Sequence, residues 1–272
     1  MSTIEYDSAA RRPRAIEELL DLLANVTLVR ALVERNIKVR YKRSVFGFLW
    51  TMLNPAAMLV VLSLVFTRAF AAHTPAYPAF IFPGLLLWNF FAQTTMLVAA
   101  EVAGGIDLWR RIRVPKTALA TASVLTGLIN LLFALVPLVL LLAFLRRPVG
   151  PALLTIPITL ALSTIFVLGA SLLIGAVALA FPDVADIYAM LLPAMMFTAP
   201  IAYPAAILPG PLRRLLPLNP MTVFVEAFRA PLYANEAPSP AAFGLMTAIA
   251  FATFFAGWLL FTRSADDIAV HI

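Results

Sequence analysis

"RNIKVRYKRSVFGFLWTMLNP", residues 35–55, packs Arg35, Lys38, Arg40, Lys42 and Arg43 into nine positions and then turns apolar without a pause. Positive charge crowded against a hydrophobic run marks a chain entering a bilayer, because basic residues beside a first span hold that flank in the cytoplasm. The run continues nearly uncharged from about 49 to 72, and about 20 helical residues suffice to cross roughly 30 Å of hydrocarbon. Composition agrees. Of 272 residues, 62% are hydrophobic and 12% charged, against about 25% charged in an ordinary soluble domain, and the mean hydropathy is +0.94. A formal charge of +6 would suit nucleic acid, but basic residues set beside apolar spans act as orientation signals and headgroup contacts instead.

Six uncharged runs are long enough to cross, near 49–72, 78–100, 117–145, 152–181, 187–208 and 239–262. Pro137 and Pro157 fall inside the third and fourth, where kinks are expected, and Pro193, Pro200 and Pro204 predict a break in the fifth. Fourteen of the Lys and Arg residues then lie on the side of both termini and six on the other, so both ends are expected in the cytoplasm. Residues 1–24 mix acids with bases and lack a short apolar core before a small-residue cleavage site, so no cleavable signal is expected.

Two connections are not simple loops. Residues 15–43 repeat apolar positions at spacings of three and four, from Ile16 and Leu19 to Leu32 and Val33, which predicts one or two amphipathic helices along the cytoplasmic surface. Periodicity alone allows either a lipid anchor or a docking helix. The stretch 209–238 is too apolar for a solvated loop, yet prolines cut it into pieces too short to span, so a re-entrant or interfacial segment is expected. Within it Glu226 and Arg229, three apart, are placed to pair on one helical face, either to neutralise charge or to serve a pathway.

Chemistry is sparse. There is no cysteine, and the histidines are His73 and His271 alone, so neither thiolate chemistry nor a metal cluster can be assembled. No Gly-x-x-x-x-Gly-Lys-Ser/Thr stretch exists, which removes nucleotide capture by a P-loop. The acids gather at span ends rather than at mid-membrane, which argues against an ion relay. A conduit with neither motor nor relay needs power from outside itself.

The opening stretch, continued as "NIKVRYKRSVFGFLWTMLNP", resembles the lead into the first span of the membrane subunits of ATP-binding-cassette exporters for bacterial polysaccharides, the O-antigen, capsule and teichoic-acid permeases. "RRIRVPKTALATASVL" is similar to that family's loop between spans two and three, "FPDVADIYAMLLPAMMFTAPIAYP" to its passage from span four into span five, and "LNPMTVFVEAFRAPLY" to its outer re-entrant segment. The resemblance covers roughly residues 25–262. One departure is Pro182, which stands where the family commonly has a basic residue before Asp183.

Together with the hydropathy the resemblance implies an all-α membrane protein of six transmembrane helices, with a cytoplasmic amphipathic interface helix (25–48), a transmembrane domain (49–262) with a re-entrant segment (209–238), and a cytoplasmic tail (263–272), while residues 1–24 are an N-terminal extension without a counterpart in the family. It implies a homodimer driven by two copies of a separate ATPase that binds ATP and Mg, with no cofactor on this chain. It also assigns candidate roles. Arg35, Lys38, Arg40, Tyr41, Lys42, Arg43, Trp50, Asn54 and Pro55 would form the interface helix and gate; Arg110, Arg111, Arg113, Lys116 and Asp183 the loops that couple to the ATPase; Asn219, Pro220, Glu226 and Arg229 the re-entrant segment. Trp88, Phe90 and Phe91 are candidates for an aromatic path on which sugar rings stack, although lipid-facing belts share that composition. Rival readings are an exporter of a drug or small lipid, an intramembrane enzyme acting on lipid-linked sugars, and an ion-coupled carrier. The enzyme would need a His, Asp or Glu constellation at one membrane face, and the carrier an ionisable group at mid-membrane.

Overall fold

The computed structural model describes residues 14–42, 46–70, 74, 76–104, 115–148, 150–181 and 183–270, and among these every regular element is helical. The main helices are α1 (Arg14–Ala24), α2 (Val26–Tyr41), α3 (Trp50–Phe70), α4 (Tyr77–Gly104), α5 (Thr117–Phe144), α6 (Ile156–Ala180), α7 (Val184–Thr198), α8 (Met221–Tyr233) and α9 (Pro240–Val270). Five stretches, within α3, α4, α5, α6 with its leading turn, and α9, are long and apolar enough to cross a membrane.

The fifth expected run carries the break that its prolines predict. Helix α7 has 15 residues, about 22 Å at 1.5 Å per residue, short of the roughly 30 Å hydrocarbon core. It runs unbroken through Pro193 and stops at Thr198, because Pro200 drives Ala199 out of the helical region to φ −96 and ψ 140. The rest of 187–208 is turn and bend. Pro157 also differs from expectation: it stands in the first turn of α6, where its missing N–H costs nothing, while Pro137 does lie inside α5.

Burial orders the bundle. Most of α4 and α6 is enclosed, whereas α3, α5 and α9 show most of their surface to the outside. The centre is made by Phe82, Leu85, Leu86 and Leu87 of α4 against Phe166 of α6 and Phe224 and Phe228 of α8. Helices α6 and α9 touch at the backbone: a Cβ on Gly169 would overlap the main chain of Phe254, and one on Gly257 would strike the Gly169 carbonyl oxygen. Small residues give membrane helices close packing where no hydrophobic drive separates them from lipid.

The two leading helices fold onto one end of the bundle. Val29 and Val33 of α2 pack on Ala118 and Ala122 of α5. The Trp258 indole Nε1 of α9 donates to the Ala15 carbonyl of α1 at 2.9 Å. Glu18 of α1 accepts from the Thr117 backbone N at 2.8 Å and its Oγ1 at 3.0 Å, capping α5 where its free N–H groups favour an anion. The outward face of α1 shows Ile16, Leu19, Leu20 and Leu23.

Candidate functional site

Helices α3 and α5 begin, and α4 ends, at the end of the bundle where α2 lies. There they part around a small cleft of about 70 Å³ walled by Asn54 and Pro55 of α3, Asn89, Phe90, Gln93 and Thr94 of α4, and Ser123, Thr126 and Asn130 of α5, with Arg40 and Trp50 beside it. The walls follow from helical spacing. Asn89 and Gln93 are four apart, and Ser123, Thr126 and Asn130 are spaced by three and four, so each set lies on one helical face. Gly127 admits α4 closely, since a Cβ there would collide with Thr94 Oγ1 and press on Phe90.

The cleft is deep. Asn89 lies fifteen residues from the end of α4 and Asn130 thirteen past the start of α5, which places both about 20 Å along the bundle. Among the described residues the Asn54 and Asn89 side chains have no hydrogen-bond partner. Arg40 Nη2 donates to Gln93 Oε1 at 3.3 Å and joins α2 to the wall. Among the described residues that line the space there is no carboxylate, and its polarity there is that of amides and hydroxyls with the Arg40 guanidinium. Just past it, Ser123 Oγ donates to Glu101 Oε2, tying α4 to α5.

A second constellation holds the break after α7. Arg229, buried on α8, donates through Nη2 to the carbonyls of Pro200 at 2.8 Å and Ile201 at 3.2 Å. Its guanidinium carbon lies 3.9 Å from the centre of the Phe80 ring. Tyr77 OH donates to the Ala202 carbonyl at 2.6 Å. Irregular backbone is tolerated among spans only where its polar groups are satisfied within protein, and these side chains supply the donors. Gly84 leaves room for the guanidinium: a Cβ there would come within 2.7 Å of Arg229 Nη2. Asn219 Nδ2 donates to the Met195 carbonyl and to Thr198 Oγ1, and its Oδ1 accepts from Met221 N, so one side chain joins the end of α7 to the start of α8.

The sequence-predicted residues divide among these places. Arg40, Trp50, Asn54, Pro55 and Phe90 meet at the cleft. Trp88 and Phe91 pack inside the subunit, Phe91 stacking on Phe166 at 5.7 Å and Phe166 on Phe224 at 4.7 Å, because α4 is the enclosed helix. Lys38 pairs with Glu34 at 3.7 Å on the exposed face of α2, Arg35 bonds Asn36, and Lys42 is exposed. Asp183 is exposed at the start of α7, and Lys116 immediately precedes α5. No ion pair joins Glu226 to Arg229 among the described residues: Glu226 is exposed, and Arg229 turns to the carbonyls after α7. Pro220 directly precedes α8. Arg43, Arg110, Arg111 and Arg113 lie outside the described residues, as does the Tyr41 side chain. Sequence reasoning missed Asn89, Gln93, Thr94, Ser123, Thr126 and Asn130. Their three-and-four spacing inside apolar runs was the available signal.

Five stretches long and apolar enough to cross a membrane mark a multi-pass membrane protein. Residues 27–233 match the family model described as ABC-2 type transporter, and the chain belongs to that family. The chain is 30% identical over 249 residues to the O-antigen export system permease protein RfbA of Myxococcus xanthus, covering 90% of this chain and 95% of the relative. It is 25% identical to an O-antigen export system permease protein RfbA of Klebsiella pneumoniae, over 78% of this chain and 80% of that one. It is 26% identical to the polysialic acid transport protein KpsM of Escherichia coli, over 86% and 92% of the two chains.

Proposed function

We propose that this chain is the transmembrane subunit of an ATP-driven exporter that moves a lipid-linked polysaccharide outward across the cytoplasmic membrane. The observation that carries the reading is the likeness to an O-antigen export permease along nine-tenths of the chain. The amides and hydroxyls of the cleft suit it, because a glycan offers hydroxyls and apolar C–H faces rather than fixed charge. The chain acts as a homodimer with two copies of a cytoplasmic ATPase, both termini are cytoplasmic, and α7 with the segment leading into α8 makes the sixth, broken crossing.

In this reading α1 and α2 are the elements on which the ATPase pushes. Their links run directly to the helices that wall the cleft: Glu18 to Thr117 at the start of α5, Arg40 to Gln93 on α4, and the packing of Val29 and Val33 on α5. Displacement of α2 therefore moves the cleft walls as a unit. The apolar outer face of α1 supports a seat in the headgroup region while the same helix grips α5 and α9. Arg110, Arg111, Arg113, Lys116 and Asp183 form the remaining contacts with the ATPase.

Affinity purification of the tagged chain in mild detergent tests the partnership. A P-loop ATPase is expected at a roughly equimolar ratio, and charge reversal at Arg110 and Arg111 is expected to weaken its retention without affecting membrane insertion. Absence of any ATPase from wild-type preparations that retain native fold would overturn the proposal.

A further inference from the structure

Helix α1 precedes the residues that match the family model and α9 follows them, since the match runs from 27 to 233. The two helices are nevertheless tied to each other. The indole Nε1 of Trp258, a residue 5% exposed on α9, donates to the Ala15 carbonyl at 2.9 Å. A buried indole N–H needs such an acceptor, so the bond fixes the first turn of α1 on α9. Glu18, one turn further on, accepts from the backbone N and Oγ1 of Thr117 at the start of α5. Leu22, a turn beyond that, packs against two clusters at once: the one that Leu172, Trp258 and Phe261 form between α6 and α9, and the one that Val29 and Ala118 form between α2 and α5. The joint to α2 is stiff. Asn25 bends the chain, at φ −107 and ψ 33, yet hydrogen bonds run through the bend: Asn25 N donates to the Asp21 carbonyl at 3.0 Å, Val29 N to the Asn25 carbonyl at 3.2 Å, and Asn25 Nδ2 to Asp21 O at 2.8 Å. Helices α1 and α2 therefore behave as one bent rod whose arms end on different parts of the bundle, α2 on α5 and α1 on α9.

We infer that α1 is a second transmission arm, with Trp258 and Glu18 as its positioning residues, which carries displacement of α2 to the last span. The movement does not stop at α9. Helices α6 and α9 touch at the backbone, at Gly169 and Gly257, and a contact without compliant side chains passes strain on rather than absorbing it. One push on α2 thus reaches α5 directly and the α6–α9 pair through α1. The inference rests on the ATPase-driven reading above and goes beyond it, because the tie between Ala15 and Trp258 joins two segments that both lie outside the family match. A brace that only steadied the fold would contain the same bonds. What separates an arm from a brace is whether nucleotide binding is felt at α9 and whether hydrolysis remains coupled to transfer.

The full chain with its ATPase is placed in lipid nanodiscs for hydrogen exchange with and without ATP plus vanadate. In sealed vesicles the same complex is assayed for ATP hydrolysis and for transfer of a fluorescent lipid-linked oligosaccharide. Trapped nucleotide is expected to change exchange in α2 and also in residues 256–264 of α9. Trp258→Phe keeps a ring in the cluster and removes only the N–H donor. Combined with Glu18→Ala, it is expected to abolish the change at 256–264 while α2 still responds. Transfer per ATP hydrolysed should fall at least about fivefold, the low end of energetic coupling between sites, while hydrolysis persists. Trp258→Phe alone leaves the Glu18 bonds in place; it should lie between wild type and the double variant, and it keeps the test valid if the double variant folds poorly. Wild-type exchange changes at 256–264 and wild-type transfer per ATP in both variants would overturn the arm. Parallel loss of hydrolysis and transfer, the mark of a brace, would overturn it too. A wild-type chain in which α2 responds to nucleotide and 256–264 does not would remove the arm and leave the ATPase-driven reading standing. A wild-type complex without ATP-dependent transfer would remove both.

Discussion

Replacing Arg229 by methionine is the perturbation that reaches deepest into this fold. The side chain is 6% exposed and gives two hydrogen bonds to the carbonyls of Pro200 and Ile201, which have no helical donor. Hydrogen bonds from a charged group are worth about 1.5–3 kcal/mol each, and the Phe80 contact adds up to about 2 kcal/mol when desolvated. Against this, keeping a guanidinium out of water costs several kcal/mol. Because Met refills the volume but leaves the two carbonyls without donors, a net destabilisation of about 2–4 kcal/mol is expected. Arg229→Lys keeps a charge but loses the planar fork, and about half of that loss is expected. Gly84→Ala gives an independent check, since its Cβ would meet Arg229 Nη2 at 2.7 Å. In the double variant with Met that clash disappears, so the two effects must fall short of additivity by about 1 kcal/mol or more. The assay is equilibrium unfolding of the four proteins in mixed micelles. Stability of Arg229→Met within about 0.5 kcal/mol of wild type, or strict additivity with Gly84→Ala, would refute the reasoning.

Three further outcomes are expected. Gly169→Leu forces α6 and α9 apart at a backbone contact and should cost about 3 kcal/mol or abolish the folded species in size-exclusion chromatography. Glu18→Ala removes both bonds to Thr117 and should cost about 1–2 kcal/mol, with faster protease cleavage between residues 14 and 24 as the readout. Tyr188→Phe deletes the 2.7 Å hydroxyl bond between α7 and Thr95 of α4 and should cost about 1 kcal/mol with little change in secondary structure by circular dichroism.

Much of the fold was legible because a bilayer imposes length and apolarity on each crossing. The ends of α3, α5 and α9 fall close to the expected boundaries at 49, 117 and 239. The break in the fifth run was legible from its prolines, but not the donors distant in sequence, Arg229, Tyr77 and Asn219, that satisfy the backbone around it. Spacing suggested Glu226 as the partner of Arg229, yet a carbonyl 28 or 29 residues away is what the folded chain brings to it. The cleft was half legible. Asn54, Pro55 and Trp50 were visible as a polar and aromatic start to a span, whereas Asn89, Gln93 and Asn130 went unweighed because attention to ionisable groups passes over neutral amides, which are also costly in lipid. Aromatic clustering alone could not show that Trp88, Phe90 and Phe91 are all buried in the core, with Phe90 alone of the three reaching the edge of the cleft.

The central claim is that this chain forms a path and borrows its power. The most direct measurement is translocation of a fluorescent lipid-linked oligosaccharide in sealed vesicles containing the chain with and without its ATPase subunit. ATP-dependent transfer is predicted only when both are present. Uphill transfer, or ATP hydrolysis, by the chain alone would contradict it.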